Sequence, residues 1–216
     1  MKPSEDVWIF DLDNTLYDCR IGLVEQIEIR MREYIASALS VSSFEAVEIE
    51  KKIILEYGTT LFWVRDICKT DPGCYLNYVH DIDYNCVMPD QELILALGDL
   101  MGRKIIYTNG TYRHALATLG RLGLNHLFDE IYDIKSTGYN PKHTKAAFQN
   151  FLSHAKIPVD STTMLDDLRV NLKVAKQSGL RTVLIDPFNV SKFKEDYFID
   201  HISDSVLNYL ISRNNP

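Results

Sequence analysis

The sequence has no C-x-x-C pair, no G-x-S-x-G and no G-x-x-x-x-G-K, and each absence removes a class of chemistry. Its four cysteines, Cys19, Cys68, Cys74 and Cys86, come without a matching histidine pair, so reduced thiols are expected instead of a zinc site. Without a nucleophile elbow, and with no histidine tied by spacing to a serine, a serine hydrolase has no support. Without a P-loop, neither has a nucleotide-binding ATPase. There is no long hydrophobic run. The N-terminal MKPSEDVWIF carries one lysine and then two acidic residues before an apolar stretch far too short for a signal peptide or a membrane span, which makes the cytoplasm the expected location. No block of like charge forms a basic arm or acidic tail, and the net charge is −7. A nucleic-acid polymer is therefore not an expected partner, and any anionic ligand must be held by a local site.

What is present is a chain of 216 residues, 46% hydrophobic, with only seven prolines, enough to bury one substantial core with one sizeable insertion. Strand-length apolar runs recur at 7–10, 104–108, 130–134, 162–165 and 181–185. Between the later runs lie helix-period segments at 112–122, 144–154 and 170–178, the last closed by Gly179 in C-cap position. This alternation predicts a parallel sheet with helical crossovers. Roughly ninety residues separate the first two runs, far more than a crossover needs. That stretch has helical periodicity, with Ile21, Val24, Ile27 and Met31 as its first stripe, and is divided by breakers at Gly58, Asp71-Pro72-Gly73 and Pro89. The expected organisation is an α/β core of residues 1–17 and 99–216 with an all-helical cap, 18–98, set into it.

Ligands bind open parallel sheets at the carboxyl ends of the strands. In WIFDLDNTLYD, Asp11 follows directly from the apolar run and Asp13 stands just beyond it on the turn. Asx turns or a helix cap would equally account for two such aspartates taken alone. A calcium loop would not, because Leu16 occupies the sixth position where the sharp turn needs glycine. The second strand, KIIYTNG, ends in Thr108 and Asn109, a hydroxyl and an amide with neighbouring N–H groups suited to phosphate oxygens, although Thr-Asn-Gly by itself reads as a turn. GYNPKHTKAAF places Lys142 just before a helix, where an isolated lysine is normally a surface charge. TTMLDDL ends the fourth strand in Asp166 and Asp167, whose mutual repulsion beside a further acidic pair calls for a hard divalent cation. A carboxylate pair, a hydroxyl, an ammonium and a second carboxylate pair from four successive strand ends together make a phosphoryl-transfer site.

In these residues the chain resembles the haloacid dehalogenase (HAD) superfamily, whose four motifs are matched in order by Asp11-Leu-Asp13-Asn-Thr, Thr108-Asn109-Gly110, Lys142 and Asp166-Asp167. The resemblance spans essentially the whole chain. It implies a Rossmann-like parallel sheet core of the HAD type with an inserted all-helical cap of the C1 type. FDLDNTLY, YTNG, YGTT and HDID look most like the pyrimidine 5′-nucleotidase group. The resemblance further implies Asp11 as nucleophile, forming an aspartyl-phosphate, and Asp13 as general acid and then base. Mg²⁺ would be held by Asp11, the Asp13 backbone carbonyl, Asp167 and, directly or through water, Asp166. Thr108, the Asn109 backbone and Lys142 would hold the phosphate oxygens, with Lys142 also catalytic in stabilising charge in the transition state. Asn171 either supports the motif carrying Asp167 or caps the following helix. Tyr57, Thr59, Thr60, Trp63, Tyr78, His80 and Asp81 are the candidate cap residues for specificity, since aromatics can stack on a base and polar groups can read its edge. Aromatics at helical spacing serve equally well as core.

The expected function is a Mg²⁺-dependent phosphomonoesterase acting on a small-molecule substrate, a pyrimidine 5′-nucleotidase hydrolysing UMP- or CMP-type monophosphates. The alternatives are a phosphatase of another small phosphate such as a sugar phosphate or phosphoglycolate, a phosphosugar mutase, and a non-catalytic regulatory module of the same fold. A dehalogenase uses the same nucleophile on carbon, but such relatives lack the second aspartate of the first motif, present here as Asp13. Two positions depart from the family pattern: His143 where many relatives carry proline, and Asp166 where close relatives often carry glutamate.

Overall fold

The computed structural model describes residues 6–188 and 197–214. The chain forms two compact units, one of Met1–Ile21 with Val87–Pro216, the other of Gly22–Cys86. The first carries a six-stranded sheet of β1 (Val7–Phe10), β2 (Arg103–Tyr107), β3 (Glu130–Tyr132), β4 (Thr162–Asp166), β5 (Arg181–Ile185) and β6 (His201–Ser203), in the order β3-β2-β1-β4-β5-β6. Every neighbouring pair is parallel. The α/β, Rossmann-like core is therefore present as the strand pattern predicts. β1 lies in the middle and is buried along its whole length, which is why VWIF reads as an unbroken apolar run without the alternation of a half-exposed strand. Its Phe10 is in register with Ile106 of β2 and Leu165 of β4. One residue further on, the Asp11 N–H still donates to the Leu165 carbonyl at 2.9 Å, so the chain leaving β1 runs beside the chain leaving β4.

The second unit is helical: α1 (Leu23–Leu39), α2 (Ser43–Tyr57), α3 (Thr60–Phe62) continuing into a wider π-type turn at Trp63–Ile67, and α4 (Pro72–Val79). Its boundaries are written in local chemistry. A capping box opens α2, where the Ser42 hydroxyl accepts the Glu45 N–H at 3.3 Å and the Glu45 carboxylate accepts the Ser42 N–H at 2.9 Å. Asp71 caps α4 by accepting the Cys74 N–H at 2.8 Å, with Pro72 in the first turn where its missing donor costs nothing. Inside the unit, the half-exposed Arg32 meets the buried Glu50 at 2.7 Å, and the Tyr75 hydroxyl donates to Thr60 at 2.9 Å.

The remaining helices, α5 (Gln91–Asp99), α6 (Tyr112–Leu122), α7 (Lys145–His154), α8 (Arg169–Gln177) and α9 (Val206–Asn214), belong to the sheet-bearing unit. α5, which the sequence pattern groups with the insertion, packs against α9 in this unit. The core between β1, β2, β4, α7 and α8 includes Ile9, Ile105, Tyr107, Phe148, Phe151 and Leu172. Tyr107 and Phe151 stack with ring centroids 3.9 Å apart. Burying each such large apolar side chain contributes about 1.5–3 kcal/mol. β3 ends at Tyr132, short of the expected Ile134, because the Ile134 N–H leaves the ladder for the Gly110 carbonyl at 3.2 Å. No helix among the described residues is long and apolar enough to cross a membrane.

Candidate active site

Asp11 emerges from β1 with its side chain buried, between the ends of β2 and β4. One carboxylate oxygen, Oδ2, accepts the Thr15 hydroxyl at 3.0 Å, and the other accepts the Lys142 ammonium. Thr15 comes from the same loop, four residues on, and is not distinguished by the sequence pattern beyond its place in the first motif.

Lys142 is buried, with its Nζ also 2.8 Å from Asp166 Oδ2 and 3.3 Å from the Tyr107 carbonyl. This lysine is thus an interior cation bracketed by two aspartates, not the surface charge that an isolated lysine in a loop would be. Burial alone would lower its pKa, but Asp11 and Asp166 outweigh that and hold it above the ordinary lysine value. Its backbone is fixed by Asn109, whose side-chain oxygen accepts the Lys142 N–H at 2.9 Å. Thr108 is buried, and its hydroxyl accepts the Gly110 N–H at 2.9 Å, folding the loop after β2 back on itself.

Asp166, at the end of β4, is fully buried. Its Oδ1 accepts the Leu168 N–H and the Asn171 amide, each at 2.8 Å. Of the two roles open to Asn171, the buried side chain takes that of support for the Asp166 carboxylate. Asp11, Asp166 and Asp167 each present a carboxylate oxygen, all within 4.8 Å of one another. Burial pushes the Asp11 carboxyl well above its usual range despite Lys142. Burial and then the charge of Asp166 push Asp167 up to about 7. Three crowded carboxylates facing one lysine are under-compensated, and an all-oxygen set of this kind suits a hard divalent cation such as Mg²⁺.

Asp13 stands apart from that trio. Its Oδ1 accepts the Tyr17 hydroxyl at 2.5 Å and lies 2.8 Å from His114 Nε2. Burial, and then the charge of Asp13, keep the Tyr17 phenol protonated far past its ordinary range. His114 has no exposed surface and sits in the first turn of α6, where its N–H is taken by the Thr111 cap at 3.2 Å. A Cβ on Gly110 would stand 2.9 Å from the His114 ring, so only glycine leaves room for this ring behind the β2 loop. Neither Tyr17 nor His114 is singled out by the sequence. The available signals were Tyr17 four residues beyond Asp13, and a histidine on the buried stripe of α6.

The specificity candidates lie in the helical unit. Thr60 and Trp63 are buried there. Tyr78 carries the Arg30 guanidinium 3.9 Å over its ring, with its hydroxyl 3.3 Å from Glu33. The His80 ring Nδ1 is 2.8 Å from the Leu76 carbonyl, and Asp81 is 3.7 Å from Arg30. Tyr57 and Thr59 are half-buried, and Thr59 caps α3 by accepting the Phe62 N–H at 3.2 Å. In the sheet-bearing unit a cleft of about 480 Å³ opens beside Asp167, lined by Asn14, Cys19, Arg169 and Phe188 among others.

The aspartates cluster at the carboxyl edge of the central strands of a parallel sheet, and one of them is paired to a buried lysine. The family model for haloacid dehalogenase-like hydrolases matches residues 6–179, and the chain belongs to that family. Over 216 aligned residues it is 27% identical to the glyceraldehyde 3-phosphate phosphatase of Methanocaldococcus jannaschii, covering 92% of both chains. Among solved structures, a HAD phosphatase from Thermococcus onnurineus is similar in fold with TM-score 0.65 at 17% identity, over 97% of this chain and 98% of that one. The HAD-hydrolase YfnB of Bacillus subtilis, bound to magnesium, matches with TM-score 0.64 at 15% identity over 98% and 99% of the two chains. L-2-haloacid dehalogenase from Xanthobacter autotrophicus matches with TM-score 0.62 at 13% identity over 97% and 98%.

Proposed function

We propose that this chain is a cytoplasmic Mg²⁺-dependent phosphomonoesterase that works through an aspartyl-phosphate on Asp11. The observation that carries this reading is the division of labour between the two aspartates of the first motif. Asp11 is buried against Lys142 among the carboxylates, while Asp13, two residues on, is held separately by Tyr17 and His114. A nucleophile and an acid–base group need this separation, and a dehalogenase working on carbon has no use for the second group.

Asp11 attacks phosphorus as the bond to the leaving oxygen breaks, and Asp13 delivers a proton to that oxygen. Asp13 then takes a proton from water as it hydrolyses the aspartyl-phosphate. Lys142, Thr108 and Asn109 serve the phosphate: the lysine stabilises charge on its oxygens, the Thr108 hydroxyl and the Asn109 backbone N–H bind them, and the Asn109 side chain keeps Lys142 in place. Asp11, Asp167, the Asp13 carbonyl and, directly or through water, Asp166 would hold Mg²⁺. When bound, the ion neutralises charge between the attacking carboxylate and the phosphate dianion.

For the substrate, the full-length likeness to a glyceraldehyde 3-phosphate phosphatase supports a small sugar phosphate. The alternative, a pyrimidine nucleoside monophosphate, rests on FDLDNTLY, YTNG, YGTT and HDID. In either case selectivity is the role we assign to the inserted helical unit. Tyr57, Thr59, His80 and Asp81 suit a role in substrate contact better than Thr60 and Trp63, which are committed to the unit's interior.

Phosphate release from a panel of sugar phosphates and nucleoside monophosphates, with Mg²⁺ or EDTA and with Asp11→Asn as control, tests the reading. Turnover that vanishes with EDTA and in Asp11→Asn supports the mechanism, and the preferred substrate separates the two readings. Activity that survives Asp11→Asn refutes it.

A further inference from the structure

We infer that Tyr17 and His114 form a positioning clamp that fixes which oxygen of Asp13 handles the proton, an assignment that rests on the phosphatase reading above. The geometry is specific, because both groups meet the same oxygen: Tyr17 hydroxyl at 2.5 Å and His114 Nε2 at 2.8 Å, each on Oδ1. A carboxyl oxygen accepts hydrogen bonds whether its partner oxygen is protonated or not. Two donors on Oδ1 are therefore satisfied in both states of Asp13, and the transferred proton rides on Oδ2 without disturbing them.

In the first step the Oδ2 proton passes to the leaving oxygen as its bond to phosphorus breaks and the Asp11–phosphorus bond forms. In the second, Oδ2 takes a proton from water as the water oxygen bonds to phosphorus and the Asp11–phosphorus bond breaks. The clamp is unchanged at the end of the cycle.

The two donors come from places with nothing in common in sequence. Tyr17 is buried one turn beyond Asp13 on the same loop, whereas His114 is delivered across the sheet edge by α6. The histidine's own freedom is removed twice, by the Thr111 cap on its N–H and by Gly110, where a Cβ would press on the ring at 2.9 Å. A side chain that only needed its nitrogen satisfied would not require a glycine cleared behind it.

The test separates orientation of an acid from mere support of the fold. Release of the phenol in the first turnover is followed by rapid quench with phenyl phosphate, a poor leaving group that needs the proton, and with p-nitrophenyl phosphate, which leaves without it. General acid–base catalysis contributes about 10²–10⁴-fold, so mis-aiming the acid in Tyr17→Phe or His114→Leu is expected to cost about 10-fold or more on phenyl phosphate. On p-nitrophenyl phosphate the same variants stay within about 3-fold, because that step does not draw on the acid. KM stays near wild type, and His114→Gln, which returns an N–H donor, recovers part of the loss. Tyr17→Phe removes a single oxygen and keeps the ring, so it reports even if His114→Leu does not fold. Equal losses on both substrates, or none on either, overturn the clamp while the wild-type activity leaves the phosphatase reading standing. A wild type that releases neither phenol and no phosphate from the sugar phosphates and nucleoside monophosphates overturns the phosphatase reading and the clamp with it.

Discussion

The side-chain oxygen of Asn109 accepts the backbone N–H of Lys142 at 2.9 Å, tying the loop after β2 to the loop before α7. The Asn109 side chain thereby holds the lysine loop in place. Removing a hydrogen-bond partner from a buried group costs about 1–3 kcal/mol. Asn109→Leu should therefore lower kcat by about fivefold or more through a displaced lysine, and Asn109→Asp, which keeps an acceptor, should retain more of it. Steady-state kinetics on the preferred substrate would check this, and equal activity in Asn109→Leu and wild type would show that the lysine is held by other means.

Asn171 donates its amide to Asp166, and both are buried. Asn171→Ala leaves Asp166 with one fewer donor and is expected to destabilise the fold by about 1–3 kcal/mol. Urea denaturation followed by circular dichroism reads this directly. A midpoint unchanged from wild type would contradict the support role.

The carboxylate trio predicts opposite behaviour with and without metal. Mg²⁺ at about a hundred times its dissociation constant should stabilise the fold by about 2.7 kcal/mol. For a chain of this size that corresponds to a rise in Tm of about 5–10 °C. In Asp167→Asn the gain should largely disappear. A wild-type Tm identical in Mg²⁺ and in EDTA would refute a metal site here.

In EDTA the same substitution should stabilise. Asp167 has a pKa raised to about 7 in the folded chain, so between its unfolded value and 7 the native state binds the extra proton and stability falls as pH rises. The penalty is absent below about pH 4 and complete above 7. Asp167→Asn should thus exceed wild type in Tm at pH 7.5 in EDTA, with the difference closing towards pH 4. A constant difference across that range would show that charge is not its source.

Gly110 leaves 2.9 Å between a would-be Cβ and the His114 ring. Gly110→Ala keeps every catalytic group and yet should reduce kcat several-fold by pushing that ring off Asp13, beyond the stability cost of about 1–3 kcal/mol that overpacking a buried ring carries. Thermal melting beside kinetics would check it, and full activity would mean the ring can yield without cost.

Much of this was legible in the sequence because it depends on neighbours along the chain. The apolar runs gave five of the strands, and the strand ends pointed to Asp11, Lys142, Asp166 and Asp167, which the structure gathers. β6 and α9 were not legible: His201–Ser203 is too short to display a period, and it exists because β5 offers it an open edge. Tyr17 and His114 were not legible for a different reason. Their significance lies in a shared oxygen, and a tyrosine and a helical histidine carry no mark of that until the sheet brings α6 to the loop after β1. Lys142 was an intermediate case, readable only from the company of the other motifs, because nothing local to a lysine announces that it will be buried.

β1 pairs in parallel with β2 and β4, partners encoded far downstream of it, and Asp11 sits where the three strand ends meet. Contacts of such long sequence separation form slowly and late, since the entropy of closing the intervening chain must be overcome first. Asp11, Lys142, Asp166 and Asp167 therefore cannot come together in a nascent chain that has not yet released β4, and the cluster stays unassembled while two thirds of the chain have already been made.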